Sequence, residues 1–90
     1  MDLFNIQWKS VAKKELKKLD KSTILKILTA VEALAQTPYP QGVRKIQGME
    51  HAYRIRVGDY RVVYTVEASV LLIEIIRVRH RREIYKKIGV

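Results

Sequence analysis

Tyr53-Arg54-Ile55-Arg56-Val57-Gly58-Asp59-Tyr60-Arg61-Val62-Val63-Tyr64 is the stretch that decides the fold. Two alternating runs flank the dipeptide Gly58-Asp59. Alternation at period two marks a half-buried strand, and Gly-X is the chemistry of a two-residue type II′ hairpin turn. Setting Val57 opposite Tyr60 fixes the other pairs. Arg56 faces Arg61, Ile55 faces Val62, Arg54 faces Val63 and Tyr53 faces Tyr64. One face of the hairpin then carries Tyr53, Ile55, Val57, Tyr60, Val62 and Tyr64, a core face. The other carries Arg54, Arg56 and Arg61. Like charges directly opposite one another destabilise a strand pair, so folding alone does not account for this second face. A solvated basic surface is the plain explanation. The sharper one is an anion site, because each guanidinium offers a planar fork of donors that matches phosphate.

Downstream, a turn near 67–69 leads into an apolar strand over 70–79. Pairing Tyr64 with Ile73 keeps Leu71, Ile73 and Ile75 on the core face and turns Glu74 outward, near Arg54. The tail, 79–90, is dense in charge and reads as a short tail or helix that brings Arg81 and Tyr85 to the edge of the arginine face. Upstream, 38–50 is a connector punctuated by Pro and Gly, with no visible period. Its Arg44 and Lys45 extend the basic surface. His51 reads as surface.

The first half of the chain is helical. Ala12, Leu16 and Leu19 recur at i, i+4 and i+7, which predicts a helix from about Ser10, its cap, to Asp20. Lys13, Lys14, Lys17 and Lys18 cover its outside, and Lys13 and Lys17 are candidates for a secondary contact with RNA backbone. Ile24, Ile27, Leu28, Val31, Leu34 and Ala35 define a second helix, capped by Asp20 or Ser22 and ended by Pro38. Residues 2–8 alternate well enough for a first strand closed by Trp8. The expected fold is α+β in two layers: an N-terminal strand, a helical hairpin, then a three-stranded antiparallel meander (β-α-α-β-β-β), with a short C-terminal tail or helix.

Ninety residues, 48% of them apolar, suit one domain spanning 1–90 with a modest core. Eighteen Lys and Arg against nine Asp and Glu give a net charge of +9, which points to nucleic acid or an acidic protein partner. With no cysteine there is neither a disulfide nor a thiol nucleophile, as suits a reducing cytoplasm. No signal peptide or membrane span is expected. Paired-carboxylate, metal-cluster, Gly-rich phosphate-loop and G-x-S-x-G patterns are missing, so no cofactor or metal is expected. Any chemistry must run on Arg, His and Tyr.

The element order, the hairpin from Gly48-Met49 through Tyr64 and the ending Val78-Arg79-His80-Arg81-Arg82-Glu83-Ile84-Tyr85 together resemble the RelE/ParE toxin superfamily of type II toxin–antitoxin systems. The resemblance covers nearly the whole chain; the hairpin and tail are its specific parts. It implies, for the RelE branch, a metal-free mRNA endonuclease that enters the ribosomal A site. There, basic hairpin residues, an arginine after the last strand and a C-terminal tyrosine carry the reaction. The matching positions are Arg54, Arg56, Arg61, Arg81 and Tyr85. It also implies a cognate antitoxin, a toxin–antitoxin hetero-oligomer, and the ribosome and mRNA as partners. The ParE branch shares the fold but inhibits DNA gyrase and generally lacks the full basic set. A non-catalytic nucleic-acid-binding module is a further alternative. This chain departs from the pattern in having arginine at 54 and 56, where the familiar RelE enzymes have lysine, and in a shorter spacing from Arg81 to Tyr85.

The chemistry needs a base for the 2′-hydroxyl, cations for the developing phosphorane charge and an acid for the leaving 5′-oxygen. Arginine supplies the cations but does not give up its proton. His80 has the one nearby side chain with an ordinary pKa in the working range, so His80 or Tyr85 is the expected base. Arg79 and Arg82 flank His80 and Arg81 and complete the predicted RNA-contacting set.

Overall fold

The computed structural model describes residues 3–82. Among them the elements are β1 (Asn5–Trp8), α1 (Ser10–Lys17), α2 (Lys21–Ala33), β2 (Arg44–Lys45), β3 (Ala52–Val57), β4 (Tyr60–Glu67) and β5 (Leu72–His80), with a 3-10 turn over Ala68–Val70. The strands form one sheet in the order β1-β5-β4-β3-β2. Both helices pack on one face of it, α1 over β5 and α2 over β3. The two-layer α+β architecture is the expected one.

The hairpin pairs in the expected register at every position from Tyr53–Tyr64 to Val57–Tyr60, and the ladder continues to Ala52–Thr65. Gly58 takes a φ of +61° while Asp59 stays at negative φ, as a type II′ turn requires. The core is what the alternation and the helical stripes predict. Ala12 and Leu16 from α1, Ile27 and Val31 from α2, and Ile55, Val62, Tyr64, Val66, Ile73 and Ile75 from the sheet are buried together. Burying an Ile, Val or Leu side chain stabilises by about 1.5–3 kcal/mol, so this face holds the layers together. The Tyr64 hydroxyl keeps a partner inside it, donating to Pro38 O at 2.7 Å. Burial pushes its phenol well above the usual tyrosine range.

Five expectations are corrected. The sheet is mixed: β1 runs parallel to β5, pairing Asn5 with Leu72 through Trp8 with Ile75. The connector contains a short fifth strand, β2, which sets Arg44 beside Arg54 and Lys45 beside Tyr53. Helix α1 begins without a Ser10 side-chain cap. Lys9 is the cap residue, because its N–H still continues the β1–β5 ladder (to Ile75 O, 2.9 Å) when its carbonyl accepts the first helical bond from Lys13 (3.0 Å). The fourth correction concerns β5. Tyr64 pairs with Ile75, not Ile73, because the chain spends four residues, 68–71, on the turn, with Leu71 left-handed at φ +53°. A two-residue slip preserves the faces, so Ile73 and Ile75 are still buried. Leu71 leaves the strand, and Glu74 pairs with Thr65 and Gln7, two rows away from Arg54. Further along, Val63 pairs with Arg77 while Tyr64 pairs with Ile75, so Ile76 is an extra residue, a β-bulge.

The second helix also ends early. Its last bonds tighten to i→i+3 spacing from Leu34, Ala35 and Gln36, and the helix proper stops at Ala33, well before Pro38. Ala35 O then accepts Phe4 N–H at 2.9 Å, which ties the approach to β1 to the end of α2.

Candidate nucleic-acid interface

Alternation from the hairpin core outward places Arg54, Arg56 and Arg61 on the face away from the helices. The short strand β2 adds Arg44, directly beside Arg54. A tight turn delivers it: Val43 N–H donates to Pro40 O at 3.1 Å across Gln41 and Gly42, and Gly42 takes φ +87°, a value that glycine adopts at little cost. Arg44, Arg54, Arg56, Arg61 and Gly42 line one cavity of about 300 Å3. A small apolar cluster, Ile46, Ala52 and Val63 with Ile76 against it, packs beside these arginines and stiffens that face.

Within the cavity, Arg56 Nε donates to Gly58 O at 3.2 Å, so the turn backbone orients that guanidinium. Arg61 Nη1 is buried without a hydrogen-bond partner among the described residues. Among the described residues Arg44, Arg56 and Arg61 form no ion pair. A buried donor without an acceptor costs about 1–3 kcal/mol, and the Arg56–Arg61 opposition adds repulsion. An oxyanion in the cavity relieves both at once.

Arg81 reaches the hairpin tip: its N–H donates to Asp59 O at 2.8 Å, and its side chain is exposed, as is that of Arg82. Tyr85 lies outside the described residues. His80 is not brought to the arginine cavity. It pairs with Tyr60, a residue of the core face, and its ring meets the Tyr60 ring edge-on at 5.4 Å. There it lines a separate cavity of about 250 Å3 with Lys18 and Leu19. Its Nδ1 accepts Arg82 N–H at 3.3 Å, which leaves the proton of the neutral ring on Nε2. To act as a base at Nδ1, the ring must first give up that bond.

Arg79 stands opposite Arg61 in the ladder, yet it is only 8% exposed, with Nε 3.5 Å from Glu15 Oε2. Glu15 also holds Arg77 in a fork, Nη2 to Oε2 at 2.8 Å and Nε to Oε2 at 3.1 Å, and its Oε1 accepts Val78 N–H at 2.8 Å. Arg79 is thus a buried structural cation in this state, not the open contact that its place in a charged tail implies. Lys13 and Lys17 are exposed on α1, on the helical layer, and Lys45 is exposed in β2. Sequence reasoning missed Glu15 and Arg77. The available signal was one carboxylate among four lysines, next to the inward-facing Leu16. Among the described residues no group of three or more His, Cys, Asp or Glu could hold a metal ion, and no helix is long and apolar enough to cross a membrane.

The model of a family described as ParE toxin of type II toxin–antitoxin system, parDE, matches residues 6–85. The chain belongs to this RelE/ParE toxin superfamily. RelE1 of Methanocaldococcus jannaschii is 30% identical to the toxin over 86 residues, 92% of this chain and 96% of that one. The archaeal RelE–RelB complex from Pyrococcus horikoshii contains a chain of the same fold, with a TM-score of 0.79 and 28% identity over 88% of the toxin and 96% of that chain. The RelB–RelE antitoxin–toxin complex from Methanococcus jannaschii gives 0.71 and 28%, over 88% and 94%.

Proposed function

We propose that this toxin is a ribosome-dependent mRNA endonuclease that acts in the cytoplasm, cuts mRNA in the ribosomal A site and is neutralised by a cognate antitoxin. The observation that carries this reading is the cavity ringed by Arg44, Arg54, Arg56 and Arg61, three of which have no ion-pair partner among the described residues. The similarity to RelE1 and to the archaeal RelE chains supports the RelE branch. The solved RelE–RelB complexes support an antitoxin as the regulator.

In the proposed reaction the 2′-oxygen attacks phosphorus and the P–O5′ bond breaks, giving a 2′,3′-cyclic phosphate and a 5′-hydroxyl. The 2′-hydroxyl proton leaves to a base, and a proton is delivered to O5′. Arg56 and Arg61 hold the scissile phosphate, and their fixed donors stabilise the charge that grows on its oxygens. Arg44 and Arg54 hold the neighbouring phosphate. Arg81, pinned by its backbone to the hairpin tip, closes the site from the β5 end. None of these groups is a proton acceptor. Positioning and charge stabilisation therefore carry most of the rate enhancement assigned to this cavity.

The matching family model is that of ParE, which favours a second reading, inhibition of DNA gyrase without cleavage. Purified toxin added to ribosomes programmed with mRNA separates the two. New 5′ ends mapping to the A-site codon support the nuclease, and Arg61→Ala lowers the cleavage rate by a factor of about 10². Intact mRNA together with blocked gyrase supercoiling supports the gyrase poison. Intact mRNA with unaffected gyrase leaves a non-catalytic nucleic-acid-binding module.

A further inference from the structure

The arginine cavity has a neighbour. Between the end of α2 and β3 lies a second space of about 280 Å3, walled by Ala30, Ala33, Pro40 and Ile55, with Gln41 at its rim. It shares Gly42 and Arg56 with the arginine cavity. Ala33 and Gln41 are exposed, so the space opens to solvent.

We propose that this cleft receives the base of the nucleotide whose phosphate rests against Arg56, and that Gln41 selects which base enters. The proposal rests on the RNA-cleaving reading of the arginine cavity. Three observations support a nucleobase as the occupant. The walls are apolar and built from small or flat side chains, which suits a planar ring inserted edge-first. The one neutral polar group, the Gln41 amide, offers both a donor and an acceptor, the pattern that pairs with a base edge. The shared wall is a guanidinium, so a ligand that bridges the two spaces must join an anion to a neutral apolar ring, as a nucleotide does. Sequence-specific recognition of RNA works on single strands whose bases are splayed out and held in this way. An acidic peptide is the weaker fit, since its carboxylates match the arginines but offer no planar neutral ring to the apolar cleft beside them.

The test titrates fluorescent five-nucleotide homopolymers of A, C, G and U into the free protein and, in parallel, measures cleavage profiles on programmed ribosomes. Wild type is expected to prefer one homopolymer over the weakest by a factor of about 10, the scale of one amide–base contact. Gln41→Leu abolishes that preference and flattens one position of the cleavage profile. Ala33→Leu fills the cleft and weakens every homopolymer about tenfold, while the rise in melting temperature with inorganic phosphate stays at the wild-type value. Both positions are exposed, and unchanged melting temperatures without ligand confirm folding. Equal affinity of wild type for all four homopolymers overturns the proposal. So does a wild-type base preference that survives both substitutions, or a loss confined to binding of an antitoxin peptide. If wild type cleaves no mRNA, the nuclease reading fails, and the homopolymer titration still decides the cleft.

Discussion

The sheet carries two sets of arginines that differ in one respect, the presence of a carboxylate. Arg77 and Arg79 on β5 converge on Glu15, which also caps the Val78 N–H just beyond the last residue that β1 pairs. Arg44, Arg56 and Arg61, on β2, β3 and β4, have no such partner among the described residues. The two sets are neighbours, since Arg61 pairs with both Arg56 and Arg79. One residue type therefore plays opposite parts a strand apart. With Glu15, guanidiniums join α1 to the sheet edge. Without it, Arg56 and Arg61 oppose one another across the strands with no carboxylate between them among the described residues. The distinction lies in the helix layer, not in the strands that bear the arginines.

The largest expected effect comes from breaking the first set. Glu15→Ala takes the carboxylate away from Arg77 and from Arg79, the latter almost fully buried, and removes the acceptor for Val78 N–H; losing one partner of a buried pair costs about 3 kcal/mol. Urea unfolding measures this directly, and Glu15→Gln, which keeps an acceptor for the amide, should lose less. A cost well under 1 kcal/mol for Glu15→Ala would erase the contrast between the two sets. The second set should respond with the opposite sign. Removing the Arg56–Arg61 repulsion by Arg61→Thr should raise stability by about 0.2–1 kcal/mol in chloride buffer. Phosphate should then stabilise wild type, by binding the folded state, and stabilise Arg61→Thr less, since only Arg44, Arg54 and Arg56 remain in the cavity. A variant that is less stable than wild type in chloride would show that Arg61 supports the fold and does not load it.

How much of this was legible depended on where turn chemistry constrained the chain. The hairpin register could be read at every position because Gly58-Asp59 is a two-residue loop with no slack and the alternation agrees with it. Arg54, Arg56 and Arg61 followed as one face. The β4–β5 register slipped by two because nothing in Glu67-Ala-Ser-Val-Leu71 signals a four-residue turn; the left-handed position falls on a leucine, not a glycine. The bulge at Ile76 then changes the phase of β5, and nothing in the local sequence marks it. The direction of β1 and the two-residue β2 depend on tertiary pairing, which local periodicity does not encode. Arg79 reads in the sequence as an RNA contact, and Glu15 passes unnoticed, for one reason: their partnership spans more than sixty residues of sequence. His80 was placed near Arg81 correctly along the chain, but on the wrong side of the sheet, since neighbours in a strand face opposite ways.

A second carboxylate sets the lower end of the comparison. Asp20, at the start of α2, is fully exposed and accepts two hydroxyl bonds: Ser22 Oγ donates to Oδ2 at 2.5 Å and Thr23 Oγ1 to Oδ1 at 2.6 Å. These two bonds, led by that from Ser22, hold its carboxyl down at about 2, below the usual carboxylate value. A pKa depressed by folding means that the ionised form binds the native state better. Its contribution is therefore complete above the unfolded value of about 3.9 and is lost as pH falls toward 2. Asp20→Ala should be slightly less stable than wild type at pH 6, and the two should converge between pH 4 and pH 2, followed by helical ellipticity during thermal melts. If the gap persists at pH 2, the carboxylate charge is not what organises the first turn of α2. Unlike Glu15, Asp20 forms no ion pair among the described residues, so removing it should leave both arginine sets, and the phosphate response of the second, unchanged.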